Sequence, residues 1–388
     1  MTYFLRYSTI IKMCECQGVK LIIFSVAISG FIFALPISNV DCALRIIPKI
    51  TLREEYTDNF DLKGKGGFIT YLYPEISFWF LGKTYLEFGY TLKYSHYSID
   101  DIEDEVSHFI TCLADRKLTR RLSIDARGTL FEPVEPVTID EYGMFKREEK
   151  YYTSNKADLV LRYLVAKNIV GNLKYYYRFL NYKETSLSDL DRQEIGLDLA
   201  GRLSSTTTLS LEYAYERRNY LSPLDLLSIG HTVDLRLDHL LTYRIKAIFD
   251  VGYAYRKDER EPSIEDELYG VTLIYKGSRR DIGTINYDFR LMEDYEGSSY
   301  RDQRIRFRIE RLMTRASSLS VGSYYGYITY VRSRRNDKLW GLGIRMGWQP
   351  HEDILFNFRY GWEERDSSES GKDYVVNRCS IEIRYTFW

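Results

Sequence analysis

From residue 45 onward the chain alternates between apolar and polar positions. Its last stretch shows the pattern most plainly. Cys379, Ile381, Ile383, Tyr385 and Phe387 fall on one face of an extended chain; Arg378, Ser380, Glu382, Arg384 and Thr386 fall on the other. Successive side chains of a strand point to opposite sides of a sheet, so period two reads as β structure with one face unlike the other. The same reading divides 45–388 into about eighteen strands of roughly ten to fifteen residues, or sixteen if weak ones merge. Very short turns, as at 119–120, 167–168 and 242–243, alternate with longer polar loops, as at 57–66, 100–104 and 133–150. An even strand count, short turns at one end and long loops at the other predict an all-β transmembrane antiparallel barrel. Both chain ends then lie on the short-turn side. The longest loop, from Pro133 to Lys150, is the candidate lid, on length alone.

The two faces decide between a membrane barrel and a soluble sandwich. One face carries Leu209, Leu211, Tyr213 and Tyr215, then Phe249, Val251, Tyr253 and Tyr255, then Ile354, Phe356, Phe358, Tyr360 and Trp362. Tyr and Trp gather toward the strand ends, where a membrane barrel has its aromatic girdles. The opposite face holds most of the charge. A sandwich would bury the apolar faces between two sheets. Its strands average ~5–6 residues, about half the length read here, and strands this long would leave extended free edges unless the sheet closed.

Composition adds an unusual weight of aromatics, with 35 Tyr and 19 Phe, against a net charge of −1. The near-neutral balance argues against a nucleic-acid partner. The first residues differ from the rest. Lys20 precedes an apolar run from Leu21 to Leu35, then small and polar residues follow. This reads as a signal peptide over 1–43, with Met13 as an alternative start and cleavage near Cys42 and Ala43, leaving 44–388 as one barrel domain. An uncleaved anchor helix is the rival, but the apolar run is short for one. Cys14, Cys16 and Cys42 fall in or beside that segment. Cys112 and Cys379 alone make neither a disulfide framework nor a zinc site.

The first strand carries a family resemblance. Ile47-Pro-Lys-Ile-Thr-Leu-Arg-Glu-Glu-Tyr-Thr-Asp-Asn-Phe60, followed by Tyr73-Pro-Glu-Ile76, resembles the opening of the β-barrel porin 2 family: a proline, an alternating strand and a Tyr-x-Asp-Asn turn. The residue-level match is confined to that opening. The resemblance implies an outer-membrane barrel of a Gram-negative bacterium, associated with exopolysaccharide or exosortase-type systems. It carries no functional residues across.

Sites of chemistry are scarce. His96 and His108 flank an acidic loop with Asp100, Asp101, Glu103, Asp104 and Glu105. Such a loop offers ligands to a divalent cation, yet a solvated acidic loop accounts for the same residues, and no metal or cofactor is expected. His231 and His239 share a face but stand about 26 Å apart at strand rise, too far for one ion. No Ser or Asp pairs with a His in a catalytic motif and no phosphate-cradling glycine loop occurs, so no enzyme is expected. Lumen charge is the specific feature. Arg304, Arg306, Arg308, Arg345, Arg359, Arg378 and Arg384 point inward from the last five strands; Glu87, Glu212, Glu216, Asp234, Asp238 and Asp250 point inward elsewhere. A wall of Arg facing carboxylates sets up a transverse field that favours anions; cross-strand ion pairing is the competing account. The expected role is porin-like passage of solutes through a polar, partly Arg-lined lumen in the outer membrane, with small anionic solutes or polysaccharide as candidate cargo. Exopolysaccharide export and a plugged structural barrel are the alternatives. The terminal Tyr385, Phe387 and Trp388 are the expected signal to the outer-membrane assembly machinery, with Trp388 one residue out of the usual register.

Overall fold

A computed structural model describes residues 43–387, apart from 60–65, 83, 99–103, 132–136, 140–144, 148–151, 183–188, 222–224, 260–262, 279, 294–298, 332 and 334. The expected signal segment up to residue 42 and Trp388 lie outside the described residues, as does most of the 133–150 loop.

Among the described residues, twenty strands follow in order. They are β1 (Ala43–Thr57), β2 (Gly67–Leu81), β3 (Thr84–Tyr97), β4 (Glu105–Lys117), β5 (Leu122–Phe131), β6 (Val137–Ile139), β7 (Phe145–Arg147), β8 (Tyr152–Ala166), β9 (Ile169–Tyr182) and β10 (Leu190–Arg202). Then come β11 (Thr207–Tyr220), β12 (Leu226–Leu240), β13 (Ile245–Asp258), β14 (Ile264–Lys276), β15 (Asp281–Glu293), β16 (Ser299–Leu312), β17 (Ser317–Tyr330), β18 (Asn336–His351), β19 (Ile354–Ser367) and β20 (Tyr374–Thr386). All but β6 and β7 form one 18-stranded sheet in which each strand pairs antiparallel with its sequence neighbours. β20 pairs back onto β1, from Lys49↔Thr386 to Thr57↔Arg378, and closes the barrel. Closure leaves the sheet without a free edge, which the hydrocarbon layer demands of any strand structure crossing it.

Alternation sets the two surfaces. Outward positions carry exposed large apolar side chains, among them Ile50, Leu52, Leu197, Leu211, Val251, Ile305, Met346 and Ile383. Aromatic pairs sit on this surface: Tyr269 stacks on Phe289 at 4.9 Å between centroids, and Trp348 on Phe356, beside the β18–β19 turn, at 5.2 Å. Where a large residue faces small ones, the outer surface packs tightly. Leu86, Ala114 and Ala126 lie side by side on β3, β4 and β5 and form a buried cluster with Phe80 and Leu159. The inward positions hold the ion pairs.

The long connection between β5 and β8 is more than a loop. β6 and β7 pair as a small hairpin within it, Val137↔Arg147 to Ile139↔Phe145. The β7 backbone comes within 8 Å of β19, Cα to Cα. Strands β4, β3, β2, β1 and β20 stand between β5 and β19 around the wall, so β7 approaches a strand six places from β5 in the sheet.

Candidate functional site: the charged lumen

Inward side chains of the last strands build a basic sector. Arg304, Arg306 and Arg308 alternate on β16 with the outward Ile305, Phe307 and Ile309. Arg345 on β18 lies directly opposite Arg359 on β19. Arg53, Arg345 and Arg384 all act on Arg359 as like charges. Glu382 on β20 sits in this group: it accepts from Arg359 at 3.4 Å, from Arg384 at 3.4 Å and from Asn357 at 3.0 Å. Like charges placed opposite one another on a sheet are unfavourable, and Glu382 supplies a counter-charge to Arg359.

Across the barrel stands a row of carboxylates. Asp198 on β10, Glu212 on β11 and Asp234 on β12 are consecutive cross-strand partners, Asp198↔Glu212 and Glu212↔Asp234. Lys174 bridges the first two, at 2.7 Å from Glu212 and 3.9 Å from Asp198. Lower on the same wall Asp238 takes Arg236 at 2.9 Å and Lys246 at 2.8 Å, and Arg236 also reaches Asp250 at 3.9 Å. Glu87 lies inward on β3 and accepts from Tyr85 at 2.6 Å. This wall thus interleaves carboxylates with Lys174, Arg236 and Lys246.

Toward the long loops the lumen charges are buried and tied together. Arg378 and Glu55 are both fully buried and pair at 2.8 Å across the β20–β1 closure. Arg53 pairs with the same Glu55 and lies over the Tyr71 ring at 5.1 Å, as does Lys93 at 4.7 Å. Asp337, also fully buried, is held by Arg365, by Arg335 at 3.1 Å and by the Ser367 hydroxyl at 2.5 Å. Glu363 accepts from the hydroxyls of Tyr324 and Tyr374. On the far wall Glu216 is ringed by Arg192, Arg218 and Arg256.

These neighbourhoods sort the charged lumen candidates. Arg378 belongs to the closure and presents no charge to a solute; placing it on a selectivity wall is corrected by its burial. Glu216 is likewise enclosed by its three Arg. Arg304 pairs with Asp302 at 2.8 Å, Arg306 with Asp288, and Arg308 with Glu310 at 3.7 Å. Arg306 and Arg384 keep about two fifths of their side chains in the open lumen, at 38% and 42%. Asp198 and Lys174 are lumen groups that sequence reasoning misses, and Glu382 stands outside the acidic set it expects. Asp198 is legible, since it alternates with the outward Leu197 and Leu199. Among the described residues no group of His, Cys, Asp and Glu could hold a metal ion. His96 instead bonds Asp104 at 2.8 Å, and His108 bonds Tyr90 at 2.9 Å on the outer surface. Tyr385 and Phe387 stand together on the outer surface at 4.6 Å between ring centroids.

No family model and no curated protein matches the chain. Solved structures do. OpdL of Pseudomonas aeruginosa aligns over 89% of this chain and 99% of its own, with a TM-score of 0.52 and 10% identity. OccAB2 of Acinetobacter baumannii aligns over 88% and 98%, at 0.54 and 11%, and OccK3 of P. aeruginosa over 88% and 95%, at 0.51 and 11%. At such identity the likeness is one of fold. The architecture is that of a porin-type outer-membrane β-barrel, and it spans both proteins nearly end to end.

Proposed function

We propose that the chain conducts small acidic solutes across the outer membrane along its basic wall. Barrels of 16–18 strands leave an aqueous channel, and the porin-type architecture supports passage rather than catalysis. The observation that carries the reading is the Arg345–Arg359 opposition, with Arg384 beside it and Glu382 shared between Arg359 and Arg384. A carboxylate-bearing solute adds counter-charge where guanidiniums crowd one another, and the acidic row Asp198, Glu212 and Asp234 opposite orients it. The test is ion selectivity in planar bilayers. The natural chain should prefer anions, and R345Q/R359Q/R384Q should shift the reversal potential toward cations. A cation-selective channel that ignores the triple substitution would overturn the proposal. So would zero conductance, which belongs to a plugged barrel.

The likeness of residues 47–60 to the β-barrel porin 2 family supports a second reading, export of an acidic polysaccharide. Deleting the gene then removes surface polysaccharide, whereas a solute channel leaves it in place.

A further inference from the structure

The short turns are built alike. In three of them a Thr follows an apolar residue and folds its hydroxyl back to accept from backbone amides. Thr119 accepts from Arg121 at 3.1 Å and from Leu122 at 3.0 Å; Thr242 from Arg244 at 3.2 Å and from Ile245 at 3.0 Å; Thr314 from Ala316 at 3.1 Å. Ser278 does the same for Arg280 at 3.0 Å. Such hydroxyl-to-amide bonds fix a turn's shape. What each Thr turn then presents is an apolar residue and an Arg: Leu118 with Arg121, Leu241 and Tyr243 with Arg244, Met313 with Arg315.

The apolar residues are not covered. Tyr243 is 84% exposed, Leu241 54% and Met313 52%. The Arg244 guanidinium lies 5.0 Å from the centre of the Tyr243 ring. Charge is nearly as one-sided. The turns joining β2 to β3, β4 to β5, β8 to β9, β10 to β11, β12 to β13, β14 to β15 and β16 to β17 contain no Asp or Glu, and all but that between β10 and β11 contain Lys or Arg. The exception is the turn from β18 to β19, with Glu352 and Asp353. The loop before β4 at the opposite end holds Asp100, Asp101, Glu103 and Asp104. In outer-membrane barrels the short turns face the periplasm.

We propose that the arc of turns from β12 to β17, with Arg244, Arg280 and Arg315, binds the headgroups of anionic phospholipids in the periplasmic leaflet. Two needs meet there. A soluble polyanion would use the Arg and leave Leu241, Tyr243 and Met313 in water. A lipid uses both, since the phosphate takes the guanidinium and the acyl boundary takes the apolar residue. The arc adjoins the lipid-facing band, where Leu273, Ile285, Ile305 and Ile309 are exposed. Each turn fixed by its hydroxyl holds its Arg at the interface, so little backbone ordering is left for binding.

The test places the full chain in nanodiscs of equal phosphatidylglycerol and phosphatidylcholine, and native mass spectrometry counts the lipids that stay bound on release. The natural chain should retain phosphatidylglycerol in excess, and high salt should reduce that excess. R244Q/R280Q/R315Q should lose it, by roughly five-fold per Arg, the general worth of one basic residue near an anionic surface. The Lys versions of the same three should keep most of it, and R217Q/K257Q at the long-loop end should not alter it. Heat-dependent gel mobility confirms that each variant is a closed barrel. Should the Gln variant not close, the salt series on the natural chain decides alone. Equal retention of the two lipids by the natural chain overturns the proposal. So does tight binding of polyglutamate to the detergent-solubilised barrel without lipid preference, which assigns the arc to an acidic protein partner.

Discussion

A buried charge pair stands at the closure of the barrel, and its removal has a calculable cost. Glu55 on β1 and Arg378 on β20 are fully buried and 2.8 Å apart. They stand near the long-loop end of a junction that runs from Lys49↔Thr386 to Thr57↔Arg378. Removing one member of a buried pair strands the other in a poorly solvated place, at a cost of ~3–5 kcal/mol. The two single variants should differ, because Arg53 also pairs with Glu55. R378A leaves Glu55 with Arg53 and belongs near the lower figure. E55A leaves two guanidiniums facing each other and belongs near the upper one. E55A/R378A removes both charges at once, so its cost should fall below the sum by about 0.5–3 kcal/mol, the usual coupling of residues in contact. Urea titration of the barrel in phospholipid vesicles, followed by tryptophan emission, gives all three values. If either single variant costs less than about 1 kcal/mol, or if the double variant is additive, the pair does not hold the closure.

Further expectations follow from separate contacts. A Cβ on Gly341 would overlap the Tyr324 ring, which is seated on that glycine, so G341A should cost about 1–3 kcal/mol of overpacking and pull Tyr324 from Glu363; an unchanged urea midpoint would show the ring sits elsewhere. Y324F keeps the ring and loses one donor to the buried Glu363, at a cost of about 1–3 kcal/mol in the same titration. Asp104, outside the membrane-spanning strands, is held below the usual carboxylate value by hydrogen bonds from His96 first, then from Tyr94 and the Tyr97 amide. Its charged form is therefore favoured by folding: the contribution is complete above the unfolded carboxylate value and is lost as pH falls through the lowered one. Protection of the Tyr97 amide, taken relative to its intrinsic exchange rate at each pH, should fall across that acidic window, and D104N should abolish that fall.

The sequence shows which face of a strand a residue occupies far better than how deeply it lies. Arg378 and Arg384 alternate identically on β20, and both point inward, yet one is fully buried and the other 42% open in its side chain. Depth depends on what reaches the same level from β1, and Glu55 is more than three hundred residues away in sequence. The strand count is legible because a lipid-facing band forces strict alternation over long stretches. The β6–β7 hairpin is not, because three-residue strands show no period. Asp198 escapes notice although its alternation is plain, since one carboxylate means little until Glu212 and Asp234 stand beside it. The turn hydroxyls are present in the sequence as Thr119, Thr242, Ser278 and Thr314, but their common role appears only when the backbone amides turn toward them.

The closure also fixes how the molecule would respond to force. β1 pairs with β2 along its whole length, from Ala43↔Leu81 to Thr57↔Gly67, but with β20 only from Lys49 onward. The two described chain ends leave from the same rim, on neighbouring antiparallel strands. A pull applied between them therefore acts across the ladder rather than along it, and hydrogen bonds at the Lys49 end break in succession instead of together. The Glu55–Arg378 pair lies at the far end of that ladder. Such a barrel peels from the short-turn rim toward the long-loop rim, and meets the buried pair last.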